Sequence, residues 1–487
     1  MACLWAFSIL NAVKTGVFDY FCELIPEENR MLRIFLIAIC LTSLSTLTFA
    51  QTITSAQDGD WDDPNTWSPN TVPTNSNSTS IIINSGHTVT VTASTTIDQA
   101  VISAGGTVII NSGQVLTIAA GTGDDLTING ELIINGSLTI FNDPPPPPIS
   151  NAVVRVNGII RNSGAINNAA AGRLLMEAGS EYIHEYTTTP GIIPLASWND
   201  ASTCTISGYT TNATAPTNLN QAFGNFIWDT PNQDFLSFID FGGQLAQVDG
   251  NLSILNSPGY IGFTQGIPFT LNVGGNLFLG SEFVFSDAAD VTINVAGNTE
   301  FAGGFNFFTG DGNIVMNLTG DLIFSGGTHD FCYSSGTTTF NLSGDLNFNG
   351  GELSESVPVN QVINFNSLSE QLVSGEATII SNDLNYVVNN LAIVDLGTSS
   401  LRGGGSFTLN NGGTIQLGST DNASPGDGAL STNSGIGNIQ VTGSRTYTAG
   451  GNIIYNGSGS QNIGNGFPST AVNLEIDNTN GVTNNNN

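Results

Sequence analysis

One pattern recurs five times between residues 246 and 348, and it constrains the fold more than any other feature of the chain. It reads apolar, Asn (Gln in the first copy), apolar, any residue, Gly, then Asn or Asp. The glycines lie 22 to 25 residues apart, at Gly250, Gly275, Gly297, Gly320 and Gly344. A fixed period in the low twenties is typical of a solenoid, in which each repeat forms one coil and stacks on its neighbours.

Alternating apolar residues flank each of these glycines. They occupy the positions four and two before the Gly and, with few exceptions, two and four after it. Such a period of two is the signature of a strand with one buried face. We therefore predict an all-β fold, a right-handed parallel β-helix with an N-terminal β cap region. Phe301, Phe324 and Phe348, which share the last of these columns, are expected to touch in a row.

The position three before each glycine is polar in every copy. It holds Gln247, Asn272, Asn294, Asn317 and Asn341. Stacked coils place equivalent residues above one another, so this column predicts a ladder of hydrogen-bonded side-chain amides on the outer surface.

The chain is strongly acidic although it contains few charges. Its net charge is −31, and from Gln51 onwards 35 acidic residues face only five arginines. Lys14 is the only lysine. A surface of this sign repels nucleic acid and anionic lipid, so neither is expected as a partner.

The first 50 residues predict export. Residues 31–50 contain a basic residue, Arg33, then an apolar run too short to span a bilayer, and end in Thr48-Phe49-Ala50, a small-x-small cleavage site. They are interpreted as a secretory signal peptide, so the mature chain is expected to begin at Gln51 without a transmembrane segment. Residues 1–30 are interpreted as an upstream extension from a start codon assigned too early, the alternative being a genuine cytoplasmic extension.

The rest of the chain divides by composition. Proline cannot join a sheet ladder, so residues 143–149 are expected to form a loop or short linker. A longer repeat begins where the predicted β-helix coils end: Phe365-Asn366-Ser367 with Gln371 recurs as Tyr455-Asn456-Gly457 with Gln461. The predicted segments are an N-terminal β module at 51–142, the Pro-rich loop at 143–149, β-helix coils at 150–365, and further β repeats, interpreted as truncated, at 366–487.

Two stretches resemble known secreted proteins. The first comprises residues 61–67 (WDDPNTW), 72–73 (VP), 81–83 (III) and 85–89 (SGHTV). It resembles the opening of G8-type β modules and the N-termini of large surface proteins of the Bacteroidota. The second comprises residues 182–184, 193–194, 198–199, 202–204 and 221–226, and is similar to a segment of those surface proteins. The resemblance implies type IX secretion and attachment to the outer cell surface, although the C-terminal sorting domain usual in that family is absent from this sequence.

Residues able to bind metals are few and scattered. Cys204 and Cys332 are about five and a half coils apart, too far for a disulfide, and are interpreted as small buried residues. His87, His184 and His329 show no metal-binding spacing. His184 is expected at a hydrogen-bonded surface position, with a role in acid–base catalysis as the alternative. Gly310-Asp311-Gly312-Asn313 is expected to form a turn, with weak structural binding of calcium there or at other acidic turns as the alternative.

The tryptophans have two interpretations. Trp61 and Trp67 are expected to cap the first coil, the alternative being platforms for stacking sugars. Trp198 and Trp228 lie in turn-rich sequence, where a loop folded onto the stack is expected.

No catalytic constellation emerges. Asp124-Asp125 is the clearest pair of carboxylates, but neighbours on a strand face opposite ways, so a turn is expected. Polysaccharide lyases on this fold use Arg or Lys, which are scarce here. No catalytic, cofactor-binding or metal-ligating residue is therefore assigned.

The leading hypothesis is a secreted or cell-surface structural or adhesive β-solenoid, not an enzyme, with extracellular polysaccharide or other surface proteins as partners. The alternatives are a carbohydrate-active β-helix enzyme and a carbohydrate-binding module of a larger protein.

Overall fold

The structure, a computed structural model, describes residues 50–121, 123–141, 151–357, 360–376, 378–381 and 383–484. The predicted upstream extension at 1–30, the predicted signal peptide except its last residue, and the Pro-rich segment at 143–149 lie outside these residues.

The described chain forms a parallel β-solenoid of about 18 coils, which confirms the predicted fold class. A typical coil contains three short strands, which we call strands 1, 2 and 3 in chain order. Equivalent strands of successive coils pair in parallel, so each position in the coil builds one face of the stack. Strand 2 is present in every coil and forms the central face.

The bounds of the strands follow this scheme. Strand 1 is Gln51–Ser55, Ser78–Ile83, Ala100–Ile102, Leu126–Ile128, Val154–Val156, Leu174–Met176, Ser197–Trp198, Ala222–Phe223, Gln247–Val248, Phe269–Val273, Val291–Val295, Ile314–Leu318, Thr338–Leu342, Val362–Phe365, Asn385–Val388, Phe407–Leu409 and Arg445–Tyr447. Strand 2 is Gly59–Asp60, Thr88–Val91, Thr107–Ile110, Glu131–Ile134, Ile159–Asn162, Glu181–His184, Thr203–Ile206, Asn225–Trp228, Leu252–Ile254, Leu277–Leu279, Thr299–Phe301, Leu322–Phe324, Leu346–Phe348, Glu370–Gly375, Ile393–Asp395, Thr414–Leu417, Asn452–Tyr455 and Asn473–Ile476.

Strand 3 is less regular and is missing from some coils among the described residues. It is Thr95–Ile97, Val115–Ile118, Ser137–Ile140, Ala165–Asn167, Phe238–Asp240, Tyr260–Thr264, Phe283–Ser286, Phe305–Thr309, Thr328–Asp330, Glu352–Ser354, Thr378–Ser381, Leu401–Gly403, Ile439–Val441, Gln461–Asn462 and Val482–Thr483. Two single-turn 3-10 helices, Pro64–Thr66 and Ala171–Arg173, and the short strand Trp67–Ser68 complete the described elements.

The N-terminal cap is built from the two predicted tryptophans. Trp67–Ser68 pairs antiparallel with the first strand, Gln51–Ser55. Trp61 and Trp67 are 2% and 0% exposed, and their ring centroids lie 4.9 Å apart. The Trp67 indole N–H donates to the Trp61 carbonyl at 2.8 Å. This burial confirms the capping role and excludes these rings as platforms for sugars.

The core consists of the columns predicted from the repeat. Every predicted inward residue around the five glycines is buried except Ala246, which is half-buried. The Phe301 and Phe324 rings stack with centroids 5.4 Å apart, and the Phe324 and Phe348 rings follow at 5.8 Å. The predicted row is therefore confirmed. Burial of one aromatic ring per coil supplies much of the hydrophobic stabilisation of this stretch.

The repeated glycine is required because successive coils touch there. A Cβ atom on Gly320 would lie 2.5 Å from the carbonyl oxygen of Gly297. A Cβ on Gly344 would lie 2.3 Å from the carbonyl carbon of Gly320. Real Cβ atoms do not approach backbone this closely, so only glycine fits a corner stacked at the strand spacing.

The predicted ladder of side-chain amides is present, but it does not include Gln247. Asn294 donates to Asn272 at 2.9 Å, and each later Asn donates in the same way to its predecessor. The ladder extends to Asn364 but excludes Gln247, whose amide bonds Asp249 instead. Gln247 was therefore wrongly predicted to belong to it, because the carboxylate two residues away is a nearer and charged acceptor.

A second ladder explains the Asn or Asp that follows each repeated glycine. Its side-chain oxygen accepts the backbone N–H of the equivalent residue in the next coil. The bonds are Asn276 to Asn251 at 2.8 Å, Asn298 to Asn276 at 2.8 Å, Asp321 to Asn298 at 3.0 Å and Asp345 to Asp321 at 2.9 Å. Each coil thus accepts a hydrogen bond from the backbone N–H at the corner of the next coil. Without this side-chain oxygen, that N–H would have no partner in the protein.

The stack is continuous across the predicted segment boundaries. Leu126–Ile128 pairs with Val154–Val156 on the other side of the Pro-rich segment. The division into segments itself stays a prediction. The later repeat has a structural basis: the Gln371 amide donates to the Leu342 carbonyl at 3.1 Å, and the Gln461 amide donates to the Leu417 carbonyl at 2.8 Å. Both glutamines are fully buried.

Candidate functional site

His184 was wrongly predicted to lie at the surface. The imidazole is 0% exposed, because Glu181 and Glu185 occupy the outward positions of the alternation. Its Nε2 lies 2.8 Å from the Pro190 carbonyl, and its ring stacks on Tyr186 with centroids 4.4 Å apart. Burial lowers the pKa of His184 to about 4, so the ring is neutral at pH 7. Enclosed in this way, it is a structural residue.

His329 is buried in the same manner beside the phenylalanine row. Its centroid lies 5.6 Å from that of Phe301 and 5.5 Å from that of Phe324. Nε2 lies 2.7 Å from the Gly326 carbonyl and Nδ1 lies 3.2 Å from the Asn306 amide nitrogen. This arrangement fits a neutral ring protonated on Nε2, and burial lowers its pKa to about 4.

The other two tryptophans are parts of strands rather than of loops, which corrects the prediction. Trp228 ends Asn225–Trp228, is fully buried and donates to the Thr230 hydroxyl at 2.9 Å. Trp198 ends Ser197–Trp198, is half-buried and packs on Phe223 with centroids 5.1 Å apart. For Trp198, turn-rich sequence misled the prediction because its strand 1 is only two residues long, whereas Trp228 ends a four-residue strand 2 that follows directly on turn-rich sequence.

Asp124 and Asp125 form a bend before the strand Leu126–Ile128, as predicted, and face opposite ways. Asp125 is fully buried and accepts the Val153 N–H at 2.8 Å. Asp124 points outwards and pairs with Arg155 at 2.7 Å. Two arginines bridge three coils each; the sets are Asp124, Arg155, Glu177 and Glu131, Arg161, Glu185.

Asp330 and Glu355 are two neighbouring buried carboxyl groups. Burial raises the pKa of Glu355 to about 8, with Asp383 and Asp330 nearby adding repulsion. Asp330 accepts the N–H groups of Cys332 and Ser356 at 3.1 Å each. However, Asp330 and Glu355 are only 1% and 6% exposed, so a polymer could not reach either group.

The Gly310-Asp311-Gly312-Asn313 segment forms a turn whose backbone rests on the preceding coil. Asp311 is exposed and accepts the Ser335 hydroxyl at 2.9 Å. Hydrogen bonds from Ser334 and Ser335 lower the pKa of Asp311. Within the described ranges, no group of three or more His, Cys, Asp or Glu residues could hold a metal ion. Weak calcium binding stays a prediction.

The two cysteines are buried and unpaired, as predicted. Burial raises the pKa of both thiols, which keeps them protonated at neutral pH.

The most distinctive surface feature is an aromatic groove on the face formed by strand 3. It is lined by Phe238, Tyr260, Val284, Phe307 and Tyr333, which come from five successive coils. All of these side chains except Val284 are partly exposed. The aromatic groove, defined by these five residues, therefore runs along the axis of the stack.

The rings of the aromatic groove are in mutual contact. Tyr260 and Phe307 lie nearly parallel, with centroids 6.2 Å apart across Val284. Phe307 and Tyr333 meet edge to face at 5.1 Å. Phe305, at 43% exposed, packs edge to face on Phe307 at 5.0 Å. The rings therefore support one another rather than standing as isolated exposed residues.

Two glycines permit this packing. A Cβ atom on Gly262 would lie 2.6 Å from Cζ of Phe238, so the Phe238 ring rests over the backbone of the next coil. A Cβ on Gly310 would lie 2.8 Å from the Tyr333 hydroxyl. Tyr333 reaches over Gly310 and donates its hydroxyl hydrogen to Asp287, two coils away.

Carboxylates border the aromatic groove on both sides. A hydrogen bond joins Glu282 to Tyr260 on one side, and Asp287 and Asp311 lie near Tyr333 on the other. Burial, reinforced by these neighbouring carboxylates, raises the pKa of both Tyr260 and Tyr333. No Lys or Arg occurs between Arg173 and Arg402 in the sequence, so these carboxylates have no basic side chain from this part of the chain beside them.

No family model matches the chain, and no curated protein or solved structure shows a significant match to it. In the part of the chain that the structure describes, no helix is long and apolar enough to cross a membrane.

Sequence reasoning missed the aromatic groove. Its members recur at intervals of 22 to 26 residues, close to the period of the glycine pattern. This signal was available, but it lies in the segments between copies of the pattern, where the lengths vary.

Proposed function

We propose that this chain is exported and acts at the outer cell surface as a rigid, adhesive β-solenoid without catalytic activity. The single observation that carries the proposal is the unbroken central face of strand 2, repeated in about 18 coils. At one strand spacing per coil, the stack extends on the order of 85 Å. A continuous core of this length suits a rod that holds a binding surface away from its point of attachment.

The sequence of the first 50 residues supports export, since residues 31–50 have the layout of a signal peptide. The resemblance to surface proteins of the Bacteroidota extends the proposal to type IX secretion and surface attachment. The exposed aromatic groove supports adhesion over a purely structural role, because rings exposed together across neighbouring coils commonly mark a binding surface.

The runner-up is a carbohydrate-active enzyme, favoured by the raised pKa of Glu355 beside a second carboxyl group, that of Asp330. A glycosidase needs two carboxyl groups on either side of a bound sugar ring. The burial of both side chains argues against that role, because a sugar ring outside the protein could not contact groups that are 1% and 6% exposed.

The proposal predicts that the protein binds to coated surfaces and does not cleave polysaccharides. Beads coated with residues 51–487 should be held on surfaces coated with extracellular polysaccharides or surface proteins, whereas beads coated with albumin should not. The same protein, incubated with neutral and acidic polysaccharides, should release neither reducing ends nor unsaturated uronates. Turnover above about 1 s⁻¹, the low end of typical enzymes, on any of these polymers would contradict the proposal.

Location is tested on intact cells that express the full chain. Antibodies against residues 51–487 should label the cell surface or detect the protein in the medium. Labelling that requires permeabilised cells would contradict the surface role.

A further inference from the structure

We propose that the aromatic groove is a binding site for a neutral, extended β-linked glycan that lies along the axis of the solenoid. The inference deepens the proposed adhesive function and rests on it. The shape, the polar rim and the charge of the groove all fit this one class of ligand.

The shape of the groove suits a linear polymer of flat units. Five successive coils each contribute one side chain, and neighbouring coils are about 4.8 Å apart. This spacing is close to the rise of one pyranose residue in an extended β-linked glycan. The C–H faces of such sugars pack on aromatic rings, so each of the four coils that contribute a partly exposed ring can offer an apolar contact to one sugar unit.

The rim supplies the hydrogen-bonding groups that a glycan requires. The Tyr260 and Tyr333 hydroxyls and the carboxylates of Glu282 and Asp287 border the rings. Carboxylates accept hydrogen bonds from hydroxyl groups, and such charge-assisted bonds are stronger than neutral ones. An ionised carboxylate has about four acceptor sites, so one that accepts a tyrosine hydroxyl can also accept a sugar hydroxyl.

The charge of the groove selects against acidic polymers. Glu282, Asp287 and Asp311 surround it, and the sequence contains no Lys or Arg between Arg173 and Arg402. A uronate or sulfated chain would place its own negative charges beside these carboxylates without a counter-charge, which is unfavourable. Neutral glycans do not incur this repulsion.

The experiment measures binding of purified residues 51–487 to soluble glycans by calorimetry and by affinity electrophoresis. The probes are cellohexaose, laminarihexaose and neutral xylan, with polygalacturonate and alginate as acidic counterparts. The inference expects binding to at least one neutral probe and much weaker binding to both acidic ones. Failure of every neutral probe to bind, or tighter binding of an acidic one, would overturn it.

Variants locate the site. Tyr260→Ala and Phe307→Ala should each weaken binding by about tenfold, since each removes one stacking ring. Phe278→Ala is the matched control, because Phe278 is a half-buried aromatic residue that faces outwards from the central face. Tyr333→Phe keeps the ring and removes only the hydroxyl, so it reports on the rim if Phe307→Ala fails to fold. Equal affinities for the groove variants and Phe278→Ala would overturn the inference.

Three further outcomes are distinguishable. If groove variants abolish self-association in sedimentation velocity and leave glycan binding unchanged, the groove is a protein interface and the inference is wrong. If coated beads are still retained on their surfaces but no glycan binds the groove, the adhesive function stands and only the ligand assignment fails. Turnover of a bound glycan would instead contradict the proposed function while leaving the site in place.

Discussion

Replacing Phe324 by Ala is expected to lower the free energy of unfolding of the coils around it by about 3–5 kcal/mol. The ring is fully buried between Phe301 and Phe348, and it also contacts His329. Its removal leaves a cavity. The neighbouring side chains cannot fill this cavity, because the two flanking coils hold them in place. Urea unfolding, followed together with amide hydrogen exchange, measures the loss.

The damage should be local as well as large. In a solenoid each coil contacts only its neighbours, so faster exchange is expected in Thr299–Phe301 and Leu346–Phe348 and not in the first coil. Ile323→Ala is the matched control, because Ile323 is the outward-facing neighbour on the same strand and should cost less than about 1 kcal/mol. Equal losses for the two variants would contradict the assignment of Phe324 to the core.

Acid should destabilise the protein through its two buried histidines. The folded pKa of both His184 and His329 is about 4, below the ordinary value of 6.5. In the unfolded chain each ring binds a proton as the pH falls below 6.5, whereas the folded ring does not until about pH 4. Their contribution is therefore complete above pH 6.5 and is lost as the pH falls to 4, by roughly 3 kcal/mol for each ring.

Comparison with a variant isolates this effect. Glu355 acts in the opposite sense, because its folded pKa of about 8 lies above its ordinary value, so that its contribution is lost as the pH rises from 4.5 to 8. His329→Leu removes one histidine and leaves Glu355 in place. The stability of wild type relative to this variant should fall by about 3 kcal/mol between pH 7 and pH 4. Parallel pH profiles for the two proteins would show that His329 is not buried in the neutral form.

The core and corners of the stack were predictable because they obey constraints that repeat in every coil. The glycine column marks the point where successive coils approach each other closely, and the apolar columns on either side of it must face the core. The same logic predicted the ladder from Asn272 to Asn341. Gln247 is not part of the ladder because its amide bonds Asp249, two residues along the same chain segment. The spacing of the repeats does not predict such a local hydrogen bond.

The remaining features depend on contacts that no period encodes. The burial of His184 requires the Pro190 carbonyl, which a following loop brings to Nε2. The alternation of residues along the strand places Glu181 and His184 on opposite faces. It does not show that a buried carbonyl is available to accept a hydrogen bond from His184. The aromatic groove was missed because outward positions on and just after strand 3 are not constrained by the core, so their recurrence varies in length and does not follow the glycine register.

The most direct test of the parallel stack is the distance between spin labels on its outer surface. Residues Gln247, Asn341 and Thr446 belong to one column of paired positions on strand 1, with Asn341 four coils and Thr446 eight coils from Gln247. Pairs of cysteines would be introduced there after replacement of Cys204 and Cys332 by Ala, and measured by double electron–electron resonance.

One strand spacing per coil predicts Cα separations of about 19 Å for the pair 247 and 341 and about 38 Å for the pair 247 and 446. The longer distance should be twice the shorter, with a narrow distribution for each. A separation for 247 and 446 that equals or falls below that for 247 and 341 would contradict the solenoid, and with it the rod and its groove.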